Sequence, residues 1–264
     1  MIRPGSGVVV TGAARGIGRA MAARLVAEGM RVVVNDIDAD DLRASAEAIG
    51  AYAVAGDCAS ARGVDALLDA ARDRRGAVDV YVANAGTDRG RGLDTEDADW
   101  AAALEINTMA HVRAARALVP DWLERGEGRF VATASAAGLL TMIGNAPYSV
   151  SKHAAVAFAE WLSATYRDRG IVVQVVCPQG VRTRMTEDVG VLAPLLAGPD
   201  AIEPDDVAAA LWDALGDDRF LVLPHPEVAG FVEAKAHDVD AWLGAMNRLG
   251  SKLGLSRAWI EEEQ

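Results

Sequence analysis

The chain has 264 residues, 51% hydrophobic and 24% charged, which is enough to bury a sizeable core and too apolar for a disordered chain. Its 26 basic and 38 acidic residues leave a formal charge of −12, which argues against nucleic acid or an anionic membrane as the main partner. Cys58 and Cys177 give neither a disulfide framework nor metal-ligand spacing, and read as packing residues. His111, His153, His225 and His237 form no metal pattern either, so no metal is expected. No apolar stretch approaches the ~20 residues of a membrane span, and Met1-Ile2-Arg3-Pro4-Gly5 lacks the apolar segment of a secretion signal. A cytoplasmic location is expected.

In chain order, short β-branched runs predict strands at 7–11, 31–36, 51–56, 78–83, 128–134, 171–177 and 219–223. Helical patterns fill the gaps at 16–29, 39–49, 60–74, 96–125, 147–169 and 204–216. This alternation predicts an α/β fold, a doubly wound, mostly parallel, Rossmann-like sheet with helices on both faces. Nothing resembles a linker or a repeat, so residues 1–264 read as a single domain. Its core spans 7–225, and a helical extension from 226 carries Phe231, Trp242, Leu243, Met246 and Leu249 at helical spacing, with Glu261–Gln264 as a frayed tip.

The first strand runs into Thr11-Gly12-Ala13-Ala14-Arg15-Gly16-Ile17-Gly18 and then a helix. A side chain at Gly12 would obstruct the tight turn, one at Gly16 would hold the backbone off a pyrophosphate, and one at Gly18 would keep the helix off the sheet. The unpaired N–H groups of that helix would face a dinucleotide's phosphates. Asp36 ends the second strand, close to the ~20-residue separation of a carboxylate that bonds the adenosine ribose. A carboxylate there repels a 2′-phosphate and favours NAD, whereas Arg15 leaves NADP possible; the bland alternative is that Asp36 caps the next helix.

Three later segments fall at strand ends. Asp57 either receives the adenine amino group or caps the third helix. Asn84-Ala85-Gly86 permits close cofactor approach, with Asn84 bracing the backbone. Pro178-Gln179-Gly180-Val181-Arg182-Thr183 follows the sixth strand and is placed to hold a nicotinamide carboxamide with its backbone and the Thr183 hydroxyl.

Tyr148 and Lys152 lie one helical turn apart on one face. A cation about 4 Å from the phenol, at an effective dielectric of ~20, favours the phenolate by roughly 4 kcal/mol, or nearly 3 pK units. That would make Tyr148 a proton acceptor for an alcohol. Ser135, ending the fifth strand, would bond the reacting oxygen. Asn107 is a mediocre helix-interior residue unless its amide has a task, such as holding a water that links Lys152 to solvent.

The glycine turn, Asp36, Asn84-Ala85-Gly86, Asn107, Ser135, Tyr148, Lys152 and the Pro178–Thr183 segment together resemble the short-chain dehydrogenase/reductase family, in its compact single-domain branch. The resemblance covers about residues 7–225. It implies an Asn–Ser–Tyr–Lys tetrad: Tyr148 as acid/base, Ser135 polarising substrate, Lys152 binding the nicotinamide ribose and lowering the tyrosine pKa, and Asn107 maintaining a proton relay. Gln179 departs from the glycine usual there, and either donates to substrate or packs at the cleft edge.

In this family Met185–Gly198 resembles a flexible lid, here carrying Val189, Val191, Leu192, Leu195 and Leu196. With Leu140 and Met142 it suggests a hydrophobic pocket, the alternative for each being plain core packing. Arg89 and Arg91 would either meet a substrate carboxylate or remain solvated. The Tyr148 helix is apolar nearly all round, and the long helix before it offers Trp100, Leu104, Met109, Val112, Leu118 and Trp122. Pairing such helices across a two-fold axis predicts a homodimer or homotetramer. The leading expectation is NAD-dependent interconversion of a moderately apolar secondary alcohol and ketone. A biosynthetic reductase using NADH or NADPH, and a non-catalytic dinucleotide-binding redox sensor, are the alternatives.

Overall fold

A computed structural model describes residues 2–187 and 190–255. Val189 and the tip Glu261–Gln264 fall outside the described residues, as do the side chains of Val191 and Leu195. The strands are β1 (Gly7–Thr11), β2 (Arg31–Asp36), β3 (Tyr52–Ala55), β4 (Val80–Ala83), β5 (Gly128–Thr133), β6 (Ile171–Val176) and β7 (Leu221–Val222). All pair in parallel, in the order β3-β2-β1-β4-β5-β6-β7. The chain lays down β1 to β3 outward, then returns past β1 to place β4. The strand order therefore reverses between β1 and β4, and a crevice opens beyond their carboxyl ends.

The helices are α1 (Gly16–Ala27), α2 (Ala39–Ile49), α3 (Ala61–Arg75), α4 (Asp97–Leu104), α5 (Ala110–Arg125), α6 (Ala137–Leu140), α7 (Ala146–Tyr166), α8 (Ala193–Leu196), α9 (Pro204–Asp217), α10 (Glu227–His237) and α11 (Val239–Lys252). Alternation along each strand divides the core into two layers. Val8, Val10, Val32 and Val34 pack with Met21, Leu25, Leu42, Val207 and Leu211 on one face. Val9, Val33, Tyr81 and Phe130 pack with Leu67, Leu68, Leu118, Trp122 and Leu162 on the other. Burial on both faces explains why the strands read as unbroken apolar runs.

Side chains fix several helix starts. Asp38 accepts from Asp41 N–H at the start of α2, Ser60 from Gly63 N–H at α3, and Asn145 from Tyr148 N–H at α7. The predicted helix over 96–125 is interrupted: α4 passes through a π-helical turn at Glu105–Met109 before α5. The predicted strand 219–223 contracts to two residues, and the helix over 147–169 closes with a 3₁₀ turn at Arg167–Arg169. Leu118 and Trp122, expected on an outward pairing face, are core instead. Trp122 is fully buried and its indole N–H donates to the Val78 carbonyl at 2.8 Å.

The extension folds as the pair α10 and α11, with Phe231 against Trp242 at 6.3 Å between ring centroids. Lys235 Nζ fastens α10 to the body by donating to the Leu139 carbonyl at 2.7 Å. Burial raises the Cys58 thiol to about 11 and the Cys177 thiol to about 12, in keeping with packing roles.

Candidate active site

The crevice at the strand-order reversal is built by hydrogen bonds between distant segments. Thr11 Oγ1, at the end of β1, accepts from the N–H groups of Asn84 and Ala85 at 3.0 and 3.1 Å. Asn84 Nδ2 returns two bonds, to the carbonyls of Thr11 and Gly12. Asn84 thus braces the glycine turn, as its position at the end of β4 suggested.

Gly12 has φ +64°, and a Cβ there would sit 2.8 Å from Ala85 Cα. A Cβ on Gly18 would lie 2.3 Å from the Gly12 carbonyl oxygen and 2.5 Å from Asn84 Nδ2. Only bare backbone fits this turn. No side chain caps α1, whose N-cap is Arg15, so its first-turn N–H groups face the crevice uncapped. Ile17, in that first turn, packs partly buried against the core. These residues fit a dinucleotide pyrophosphate.

Asp36 is half-buried at the end of β2, where Oδ2 accepts from Ala14 N–H at 3.0 Å and Oδ1 from Asp38 N–H at 3.2 Å. Its carboxylate therefore anchors the same turn. Arg15 extends away to Asp38 at 2.6 Å and Asp41 at 3.3 Å. Asp57 is held by Ala59 and Ser60 N–H groups ahead of α3. Burial pushes its carboxyl up, but those bonds and the Arg113 charge outweigh it and leave it below the ordinary carboxylate value. Ser60, not Asp57, caps α3, and Asp57 instead holds the turn ahead of that helix.

Ser135, Tyr148 and Lys152 converge beyond β5. Ser135 Oγ accepts from Ala137 N–H at 3.1 Å and donates to the Pro178 carbonyl at 3.4 Å. Lys152 Nζ lies 5.7 Å from the centroid of the Tyr148 phenol ring. Lys152 is buried and donates to the Thr133 carbonyl at 2.9 Å.

The expected acidification of the phenol by the ammonium is not what the protein alone provides. Burial raises Tyr148 to about 12; the nearby Ser135 hydroxyl opposes this, and the Asp88 charge adds to it. Burial likewise lowers Lys152 to about 8. Desolvation is the largest influence on each group.

Asn107 is fully buried in the π turn, where Ala110 N–H reaches the Glu105 carbonyl. Its Oδ1 accepts from Thr87 N–H at 2.8 Å, and Nδ2 donates to the Thr87 carbonyl at 2.8 Å and Ser151 Oγ at 2.9 Å. Both amide protons are therefore committed to tying the loop after β4 to α7. The amide's task is bracing, and the expected water would need the one lone pair left on Oδ1.

The Pro178–Thr183 segment crosses back to the glycine turn. A Cβ on Gly16 would lie 3.3 Å from Thr183 Cγ2, so the glycine turn and the Pro178–Thr183 segment meet. Val181 pairs with Ile202 through an isolated bridge. Gln179 Oε1 is buried with no hydrogen-bond partner among the described residues. Leu140 is half-buried at the end of α6, and Met185 is 43% exposed in a 3₁₀ turn. Arg91 is tied to its own loop through the carbonyls of Asp88 and Gly90, and Arg89 is exposed. Neither arginine joins the Ser135 cluster.

The short chain dehydrogenase family pattern matches residues 6–191. The chain belongs to the short-chain dehydrogenase/reductase family. It is similar to 1-deoxy-11-beta-hydroxypentalenate dehydrogenase of Streptomyces exfoliatus, 41% identical over 233 residues that cover 83% of this chain and 82% of the relative. Its fold is similar to a Burkholderia phymatum short chain dehydrogenase/reductase in complex with NAD (TM-score 0.81, 28% identity, 91% of this chain and 96% of that one). It is also similar to a variant actinorhodin polyketide ketoreductase with NADPH (TM-score 0.78, 29% identity, 86% and 99% covered). As a short-chain dehydrogenase/reductase it is an oxidoreductase of hydroxyl and keto groups, in a family that binds NAD(P).

Some participants in this short-chain dehydrogenase/reductase site were missed by motif reading. Ser151 and Thr87 enter only as the partners of Asn107. His111, one helical turn beyond Asn107, is buried with neither ring nitrogen hydrogen-bonded among the described residues. Burial and the Lys152 charge lower it to about 3. Among the described residues no cluster of His, Cys, Asp or Glu forms a metal site, and no helix is long and apolar enough to cross a membrane.

Proposed function

We propose that this protein interconverts a moderately apolar secondary alcohol and its ketone with NAD, using Tyr148 as the proton-transfer residue. The convergence of Ser135, Tyr148 and Lys152 beside the glycine turn carries this reading. The bound nicotinamide supplies the hydride acceptor or donor. Gly12, Arg15, Gly16, Ile17 and Gly18 would line the pyrophosphate, Asp36 the adenosine ribose, and Ala85, Gly86, Val181 and Thr183 the nicotinamide end.

Ser135 donates to the reacting oxygen and fixes its place against the phenol. Tyr148, raised to about 12, stands protonated at neutral pH. In that form it gives its proton to a carbonyl oxygen as the carbon is reduced. In oxidation the same oxygen takes the alcohol proton, after the phenol has released its own. Lys152, beside it, stabilises the phenolate while it lasts, and Asn107 holds the loop after β4 against α7.

The acidic surroundings of Arg15 support NAD over NADP, because its guanidinium is already neutralised by Asp38 and Asp41. The relative's name describes a hydroxyl-bearing substrate, and Leu140 with the half-exposed Met185 would offer apolar contacts. The outward faces of α4 and α7 carry Leu104, Val150 and Trp161 exposed, which supports a homodimer or homotetramer.

Steady-state turnover of an alcohol and ketone panel with both cofactors is the test. Turnover of apolar secondary alcohols with NAD is expected. Activity confined to sugars, or with NADP alone, would overturn the reading, and dinucleotide binding without turnover would leave a sensor.

A further inference from the structure

The buried imidazole of His225 lies beyond β7, on none of the motifs that define the site. It is 3% exposed, and both its nitrogens are used. Nδ1 accepts from the Gln179 N–H at 3.1 Å, and Nε2 lies 3.1 Å from the Gly180 carbonyl oxygen. A backbone N–H only donates and a carbonyl only accepts, so these two contacts select one neutral tautomer, with the proton on Nε2.

The turn that His225 clasps joins the Ser135 segment to the glycine turn. The Pro178 carbonyl accepts from Ser135 Oγ at 3.4 Å and from Ala136 N–H at 2.8 Å. Gly180 has no space for a side chain, since a Cβ would lie 2.5 Å from the Leu196 carbonyl oxygen of α8. The Gly180 carbonyl also receives Ile202 N–H at 3.1 Å. Three residues on, Thr183 closes over Gly16. The Gln179 N–H, by contrast, has His225 as its hydrogen-bond partner among the described residues.

We infer that His225 is a positioning residue: by gripping the Gln179 N–H and Gly180 carbonyl, it holds the turn that orients the Ser135 hydroxyl and presents the nicotinamide-binding backbone. This rests on the cofactor reading given above. Without the imidazole, the turn loses the bond that sets the Gln179 peptide plane. The Pro178 carbonyl, on the same peptide, is then held by the Ala136 N–H without the opposing grip on the Gln179 N–H, and its direction toward Ser135 loosens. The adenosine half of the site, on the glycine turn and Asp36, keeps all its own bonds.

The test compares NADH and ADP-ribose, which lacks the nicotinamide, binding to wild type, His225→Phe and His225→Asn, with melting temperature and kcat measured alongside. Loss of both imidazole bonds, which leaves the Gln179 N–H without its partner, predicts that His225→Phe binds NADH about tenfold more weakly. ADP-ribose affinity should be unchanged and kcat reduced. Asn places a side-chain oxygen where Nδ1 accepts, so His225→Asn should restore most of both losses. Unchanged NADH affinity and kcat in His225→Phe would overturn the inference, as would equal weakening of both ligands or an Asn variant no better than Phe. If the Phe variant does not fold, His225→Leu takes its place, and failure of both to fold with a wild-type-like Asn variant sets Asn against Gln at 225. Restoration by Asn but not Gln supports the Gln179 bond, and equal behaviour overturns it. Wild-type protein that binds neither ligand would overturn the cofactor reading itself, and this inference with it.

Discussion

Lys152 Nζ donates to the Thr133 carbonyl at 2.9 Å, so the ammonium is anchored to the end of β5. Its pKa is lowered from 10.5 to about 8, chiefly by burial. A folded-state value below the unfolded one means that the unfolded chain binds the extra proton between those limits. Stability therefore rises with pH through that window, and at neutral pH the buried charge opposes folding by about 3 kcal/mol. Lys152→Met removes that opposition, less about 1 kcal/mol for the lost bond to Thr133. The expected outcome is a melting temperature at pH 7 that rises by several degrees while turnover disappears. Thermal melts of both proteins at pH 7 and pH 10 check it, because the gain should shrink at the higher pH.

Tyr148 stands above its ordinary value, at about 12, so if it transfers the proton as proposed, its release should limit the oxidative direction. Alcohol oxidation should quicken as pH rises from 7 toward 10, whereas ketone reduction should not gain. Tyr148→Phe should lower kcat by about a thousandfold in both directions while sparing dinucleotide affinity. Initial-rate pH profiles in the two directions, with NADH titration of the variant, check both statements. Equal pH profiles in the two directions would mean that another group transfers the proton.

His111 gives the fold a specific acid sensitivity. Its folded pKa of about 3, against 6.5 unfolded, comes from burial first and the Lys152 charge second. The unfolded chain binds the proton first, so the stability linked to this residue is complete above pH 6.5 and is lost as pH falls. Between pH 6.5 and pH 4 the loss should amount to about 3 kcal/mol. His111→Leu should remove that component, and urea unfolding midpoints at pH 7, 5.5 and 4 would show a flatter acid limb in the variant.

The sequence carried the sheet because its strands are buried on both faces and read as continuous apolar runs between punctuating glycines and helix caps. It carried Gly12, Gly18, Asn84, Ser135, Tyr148 and Lys152 because each sits where a strand ends or one helical turn apart. It did not carry the π turn at Asn107, since one extra residue per turn leaves an apolar helical pattern almost unaltered. Nor did it show that the Asn107 amide serves Thr87 and Ser151, contacts made across long separations in the chain. The direction of the Tyr148 shift was misread for a related reason: residue spacing gives the distance to a charge, but burial depends on the whole fold. Leu118 and Trp122 were placed on the wrong side because a nearly all-apolar helix has no polar face to mark which side meets the sheet.

On the proposed reading, cofactor preference should turn on the competition for Arg15. Its guanidinium sits 2.6 Å from Asp38 and 3.3 Å from Asp41, all three partly exposed, so each pair is worth only modestly over zero. Together with Asp36 they still present net negative charge where a 2′-phosphate would approach. Asp38→Asn should free Arg15 for that phosphate and remove one repulsive charge, while keeping an oxygen that can accept from Asp41 N–H at the start of α2. Asp36→Asn removes the carboxylate proposed to bond the ribose but keeps an oxygen for the Ala14 N–H. Each change should shift the NAD-to-NADP ratio of kcat/KM toward NADP by about tenfold, or about 1.4 kcal/mol. The two should combine less than additively, because Asp38 N–H itself donates to Asp36 Oδ1 at 3.2 Å. Kinetics of the four proteins with both cofactors decides it: an unmoved ratio in Asp36→Asn would show that its carboxylate serves the turn alone.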